Sequence, residues 1–310
     1  MEPLDPATAA RLQAAALGWY DAAGRSFAFR GTRDPYAVLV SEVILQQTQV
    51  SRGEPAWTAF TKRFPSFAAL AAASPAEVLR AWAGLGYNRR ALALHQTARA
   101  VMEQHGGRLP EDTASLRALP GIGPYTARAI QAIAFGRAVG PMDTNVRRVL
   151  GRVIAGHGSR WDRGGEMPLA RLQGVADALV PAERPADWTA ALMDIGSSLC
   201  RPRRPDCDAC PLAGECRYFA KRGTAAAAAA PAPAPRPRGA REAPAAYEST
   251  TRWLRGRIVE RLRDLPDGEW TTIEAPLGEH DPAAIEAAVV DLEHEGLLER
   301  DVAGRVRLPH

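Results

Sequence analysis

Two short stretches of the chain carry residue types at spacings that can do chemistry on a polyanion. Between Leu119 and Asp143 the sequence reads LPGIGPYTARAIQAIAFGRAVGPMD, a glycine-punctuated turn opening onto a helix, with a carboxylate about one helix later. Gly121 and Gly123 permit backbone angles that larger side chains forbid, so their N–H groups and those of the next turn can converge on one phosphate. Asp143 stands at the expected start of the following helix, where the helix dipole favours an anion. Each piece also has a plainer reading: GIGPYT as a helix-entry turn and Asp143 as an N-cap. The second stretch holds Cys200, Cys207, Cys210 and Cys216, spaced C-x6-C-x2-C-x5-C within seventeen residues. In a reducing compartment that density points to a metal site rather than to disulfides. Four thiolates suit an iron–sulfur cluster or structural zinc, and one C-x2-C inside wider gaps is more the pattern of a loop wrapped around a cluster.

The rest of the chain must position these groups. With 310 residues, 46% of them apolar, it can bury a sizeable core and build about two domains. From about residue 7 to 222 apolar residues recur at three- and four-residue spacing, with loops marked by Pro and Gly and no alternating strands. This predicts an all-α, two-lobed domain. Helices are expected over 8–22, 35–49, 57–64, 75–83, 89–105, 113–119, 125–135, 144–155, 167–179 and 188–199. Ser74-Pro75 followed by Glu77 is a start signal for the fourth. Residues 223–246 are an Ala/Pro-rich linker. Residues 247–310 hold two helical runs and an apolar-alternating stretch that turns at Ala303-Gly304, the order of a small winged-helix-like α+β module. The net charge is +4, but arginines cluster at Arg89/Arg90, Arg147/Arg148, Arg201/Arg203/Arg204 and Arg236/Arg238/Arg241, an arrangement suited to nucleic acid. A signal pattern and an 18-residue apolar run are both missing, which argues against secretion and membrane insertion and for a cytoplasmic protein.

Five motifs together carry a family resemblance: DPYAVLVSEVILQQTQV at 34–50, WAGLGYNRRA at 82–91, LPGIGPYTARAI at 119–130, MDTNVRRV at 142–149, and the cysteine loop. Jointly they resemble the helix-hairpin-helix DNA glycosylases with a four-cysteine iron–sulfur loop, the endonuclease III superfamily, and within it the MutY-type adenine glycosylases. The resemblance spans residues 7–222. It implies the two-lobed helix-hairpin-helix DNA glycosylase fold, one [4Fe–4S] cluster on Cys200, Cys207, Cys210 and Cys216, and double-stranded DNA containing a mismatch as the partner of a monomer. By the same resemblance Glu42, otherwise readable as a surface glutamate, is the general acid that protonates the leaving purine, a task that requires a partly apolar pocket. Asp143 stabilises the oxocarbenium-like sugar, and Asn145 hydrogen-bonds around that centre. Bifunctional relatives carry a lysine where this chain has Tyr125; a phenol cannot form a Schiff base, so base removal without efficient lyase activity is expected. Gln47, Leu85 and Tyr87 are expected to contact the DNA, Gln47 and Tyr87 at intercalating positions, although Leu85 and Tyr87 also suit the core of a tight turn. Arg30 and Gln46 match adenine-recognising positions. Gly121 and Gly123 are expected to bind phosphate, helped by Arg89 and Arg147.

Three departures stand out. Phe29 replaces a usual tryptophan before Arg30, and Asn88 replaces a common second tyrosine after Tyr87. The 64 residues after the linker do not resemble the oxidised-nucleotide-hydrolase-like domain that grips 8-oxoguanine in many adenine glycosylases. The expected function is removal of adenine mispaired with 8-oxoguanine or guanine. A thymine/uracil mismatch glycosylase on the same scaffold and a non-catalytic iron–sulfur DNA-binding protein are the alternatives.

Overall fold

The computed structural model describes residues 5–156, 167–222 and 247–310; the linker at 223–246, with Arg236, Arg238 and Arg241, lies outside the described residues. In chain order the helices are α1 (Pro6–Ala23), α2 (Pro35–Leu45), α3 (Val50–Arg63), α4 (Phe67–Ala72), α5 (Pro75–Ala81), α6 (Arg89–Gln104) and α7 (Thr113–Ala118). They continue with α8 (Pro124–Ile133), α9 (Thr144–Leu150), α10 (Leu169–Ala178), α11 (Pro185–Asp194), α12 (Arg217–Arg222), α13 (Thr251–Arg263) and α14 (Pro282–His294). Two strands, β1 (Glu299–Arg300) and β2 (Val306–Arg307), pair antiparallel. The helical class and the small β tail expected from the sequence are both present. The helix expected at 35–49 ends at Leu45, because Gln47 has a left-handed backbone (φ 55°). The helix expected from residue 57 starts at Val50, and α4 had no counterpart in the expectation. At Ser74 the start signal forms a full capping box: Ser74 Oγ accepts from the Glu77 amide at 3.2 Å, and the Ser74 amide donates to Glu77 at 2.9 Å.

The chain divides into two compact units. The first comprises the described residues of Met1–Leu39, Glu111–Arg117 and Ile122–Arg236. Its core gathers Leu12 and Ala16 of α1, Val146 and Leu150 of α9, Leu172 of α10 and Trp188 and Leu192 of α11. Both α9 and α11 run on into a single π-helical turn, at Gly151–Ala155 and Ile195–Leu199. Such turns shift the helix face by part of a turn and are frequent at functional sites. Gly196 allows the second to approach α9: a Cβ there would lie 2.7 Å from the Asn145 Cβ.

The second unit comprises the described residues of Val40–Pro110, Ala118–Gly121 and Pro237–His310. Its core is built around Trp82, fully buried and edge-on to Phe60 with ring centroids 5.7 Å apart. The C-terminal module belongs to this unit. Its helices α13 and α14 pack through Leu254, Ile258, Val289 and Leu292, and Thr271 bridges Val306 beside the two-stranded wing. The module is stitched to α5 and the loop after it. Arg80 donates to Asp267 at 2.9 Å and to the Leu265 carbonyl at 3.1 Å; Arg263 donates to the Leu79 carbonyl at 2.8 Å; the Ala76 amide donates to the Pro309 carbonyl at 3.0 Å.

Candidate active site

Asp143 is the N-cap of α9. Its Oδ1 accepts from the amides of Asn145 (2.8 Å) and Val146 (2.7 Å), and its Oδ2 from the Asn145 side-chain amide (2.9 Å). Three donors on one half-buried carboxylate fix its direction. The other end of the Asn145 amide accepts from Arg148 at 2.8 Å, and Arg148 also donates to the carbonyls of Gly196 (2.6 Å) and Cys200 (2.7 Å). A hydrogen-bonded chain therefore runs from Asp143 to the first cysteine. Arg148, read from the sequence as part of a basic cluster for a polyanion, is buried and serves this chain instead. Arg147 beside it is half-buried.

The four cysteines line one cavity, with apolar walls from Val149, Val153 and Phe219. Arg152, only 2% exposed, donates to Cys200 Sγ at 3.2 Å and to the carbonyls of Arg201 and Pro202, both at 2.9 Å. Burial pushes the Cys210 thiol up to about 11, and the neighbouring sulfurs add to the rise. Loading a metal there means displacing protons from the thiols, and a buried guanidinium on the sulfur set offsets the charge that results. Among the described residues no group of three or more His, Cys, Asp or Glu is placed to hold a metal ion; soft donors, an apolar wall and a compensating cation are the setting an iron–sulfur group requires.

The hairpin turn lies between α7 and α8. Gly121 has φ +74°, and a Cβ on it would come within 2.9 Å of the Ala93 Cβ, so angle and space both require glycine. Gly123 caps α8 and Pro124 occupies its first turn. Thr97 Oγ1 donates to the Pro120 carbonyl at 2.5 Å and pins the turn. Tyr125 follows as a half-buried residue of α8.

Glu42 lies half-buried on α2, beside the fully buried Val40 and Ile44. The loop that carries Tyr87 is anchored to the end of this helix by Arg90. One guanidinium nitrogen donates to the carbonyls of Val43 (2.9 Å), Ile44 (3.0 Å) and Gln46; the other donates to those of Leu85 and Gly86, both at 3.1 Å. Carbonyls at a helix C-terminus lack intrahelical donors, and a cation there also meets the negative end of the dipole. Trp82 Nε1 adds a bond to the Gly86 carbonyl at 3.1 Å. Leu85, expected to contact DNA, is instead buried in the turn, whereas Tyr87 is 45% exposed, and Arg89 and Gln47 are exposed as well. Gln47 (φ 55°) and Tyr87 (φ 47°) are the non-glycine residues with left-handed backbones among the described residues. Strain of this kind persists where surrounding structure imposes it, and it concentrates at functional sites. Asn88 accepts from Arg263 at 2.7 Å, so the residue that replaces a common tyrosine is a docking point for the C-terminal module.

Arg30 has a structural commitment. Its guanidinium grips Asp194 through two bonds of 2.7 Å, and its side chain is 16% exposed. Burial alone would push the Asp194 carboxyl up, but hydrogen bonds from Arg30 and Arg25 outweigh it and hold the group below the usual aspartate value. Gln46 is half-buried, and its carbonyl is the one taken by Arg90. Sequence reasoning did not single out Arg90, Arg148, Arg152, Asp194 or Arg263 as positioning groups. The available signal was an arginine directly beside a site residue at positions 90 and 148; for the others no local signal exists.

Comparison with known proteins agrees with this arrangement. A family model described as HhH-GPD superfamily base excision DNA repair protein matches residues 40–162. The adenine DNA glycosylase of Mycolicibacterium smegmatis is 39% identical over 298 residues, covering 94% of this chain and 94% of that one. The adenine DNA glycosylase of Homo sapiens is 41% identical over 222 residues, covering 69% of this chain and 40% of that one. Among solved structures, a thermostable thymine-DNA glycosylase aligns with a TM-score of 0.63 at 29% identity, over 69% of this chain and 98% of that one. Read together with the hairpin, the capped aspartate and the cysteine loop, these likenesses place the chain in the adenine DNA glycosylases of the helix-hairpin-helix base excision repair superfamily.

Proposed function

We propose that the protein hydrolyses the N-glycosidic bond of adenine mispaired with 8-oxoguanine or guanine in double-stranded DNA, as a cytoplasmic monomer without efficient lyase activity. Family membership makes adenine excision in base excision repair the reaction. The observation that carries the residue assignment is the Asp143 carboxylate, aimed by Asn145 and by two amides of its own helix. In this reading Glu42 gives its proton to the departing adenine as the bond from nitrogen to the sugar carbon breaks. Asp143 steadies the positive charge left on the sugar, and a water that loses its proton to the Glu42 carboxylate completes the abasic site. Tyr125 occupies the hairpin position where an amine would be needed for imine formation, which supports a monofunctional outcome. Tyr87 and Gln47 fill the gap left by the extruded base. Gly121, Gly123, Arg89 and Arg147 hold backbone phosphates, and Gln46 borders the base, while Arg30 stays committed to Asp194.

Cys200, Cys207, Cys210 and Cys216 would hold a [4Fe–4S] cluster, which when bound braces the loop and adds charge that Arg152 and Arg148 balance. Among the described residues no helix is long and apolar enough to cross a membrane.

Incubation with duplexes carrying A opposite 8-oxoguanine, T opposite G and U opposite G tests the reading. Release of adenine alone is expected, with no covalent adduct trapped by borohydride. Release from the T and U duplexes only would instead establish the thymine/uracil alternative.

A further inference from the structure

A groove of about 930 Å³ lies beside Tyr87, wholly within the second unit. One wall is the loop around Tyr87 with Gln47 and Arg52; the other is α13 of the C-terminal module, joined by Leu292 and Glu295 from the end of α14. Its cations sort into two kinds. Arg90 and Arg263 donate to carbonyls, Arg255 pairs with Glu295 at 2.5 Å, and Arg257 pairs with Glu260 at 2.6 Å. Arg52, Arg89 and Arg252 are exposed and have no carboxylate partner among the described residues. Arg252 instead lies over the Tyr87 ring, 4.6 Å from its centroid, with Arg90 also against that ring at 5.6 Å. Three uncompensated guanidiniums around an exposed aromatic ring suit a ligand that combines phosphates with flat bases. The second helix of the winged module, which such modules commonly offer to DNA, is α14; Arg255 pairs with Asp291 and Glu295 at its end, and Glu293 there adds a negative charge that disfavours a polyanion.

We propose that α13, rather than α14, is the nucleic-acid face of the C-terminal module. Arg252, with Arg52 and Arg89, holds backbone phosphates of duplex DNA beside the base step that Tyr87 enters. The module thereby extends the intercalating lobe instead of acting as a separate DNA reader. The identity of the polyanion rests on the glycosylase reading above.

The test is binding of the full chain to a duplex carrying a tetrahydrofuran abasic analogue, followed by fluorescence anisotropy over a range of salt concentrations. Arg252→Ala and Arg52→Ala are each expected to lower the slope of log K against log salt by about 1, the signature of one lost phosphate contact. Arg252→Lys retains the slope because it retains the charge. Arg261→Ala, a change on the same helix outside the groove, leaves the slope as in the parent. An unaltered slope in Arg252→Ala, or an equal fall in Arg261→Ala, overturns the proposal. Adenine release by the parent chain is measured in parallel. Release with indistinguishable slopes defeats the groove alone, and altered slopes without release defeat the glycosylase reading alone.

Discussion

The hydrogen bonds that aim Asp143 come from residues two and three positions along the chain, whereas those that hold the Tyr87 loop come also from residues as distant as Arg263. The first group is set by the start of one helix. The second depends on a buried arginine tying a helix end to a loop, and on a module that follows more than a hundred residues later. A carboxylate positioned by its own helix needs little beyond local sequence, with Arg148 bracing the Asn145 amide from behind. An intercalating loop in a strained conformation needs continuous support from its surroundings, because the left-handed backbone at a bulky residue relaxes once that support is gone.

The contrast can be broken at several points. The largest effect is expected from Asp143→Asn, which keeps a good N-cap but removes the charge. Adenine release should fall by about a thousandfold or more with duplex binding still measurable, and unchanged release would end the assignment of this residue. Next comes Arg90→Ala, which strands the carbonyls of Val43, Ile44 and Leu85 and leaves that of Gly86 to Trp82 alone. We expect a loss of about 3 kcal/mol in denaturant unfolding, together with weaker binding to mismatched DNA; full stability would mean that the loop stands without its anchor.

Arg30→Ala should cost about 2 kcal/mol, since Asp194 is fully buried but keeps Arg25 as a partner. The pH dependence has a definite sign. Asp194 is held below the usual carboxyl range when folded, so its contribution is complete above about pH 4 and is lost as pH falls through the lowered value. Removing Arg30 should make that acid limb of the stability curve shallower, and an unchanged limb would show that Arg25 alone suffices. The smallest change is expected from Asn145→Ala. The two backbone amides still cap Asp143, so release should slow by about tenfold, read under single-turnover conditions. A loss as deep as that of Asp143→Asn would show that the local cap is not what aims the carboxylate.

Much of this was legible beforehand because the signals are local. Gly121 is required by a left-handed angle, Ser74 and Glu77 form their cap within one turn, and Asp143 begins the helix where its dipole favours an anion. Arginine was harder to read. Arg89 and Arg90 are neighbours in a basic pair, yet one is exposed and the other is anchored among carbonyls. The same holds for Arg148, which bonds Asn145 and Cys200 instead of facing solvent. A guanidinium looks alike in sequence whether it will meet a phosphate or a carbonyl, because its five donors suit both, and only packing decides which arrives.

Sequence alone thus determined the helical class, the hairpin, the capped aspartate and the grouping of four cysteines, all set by backbone angles and short-range hydrogen bonds. Tertiary structure decided that Arg30 is committed to Asp194, that Leu85 turns inward while Tyr87 turns out, and that the C-terminal module docks on the Tyr87 loop through Arg80 and Arg263. These outcomes depend on which distant groups compete for the same donors and which apolar faces meet, and no window along the chain contains both partners.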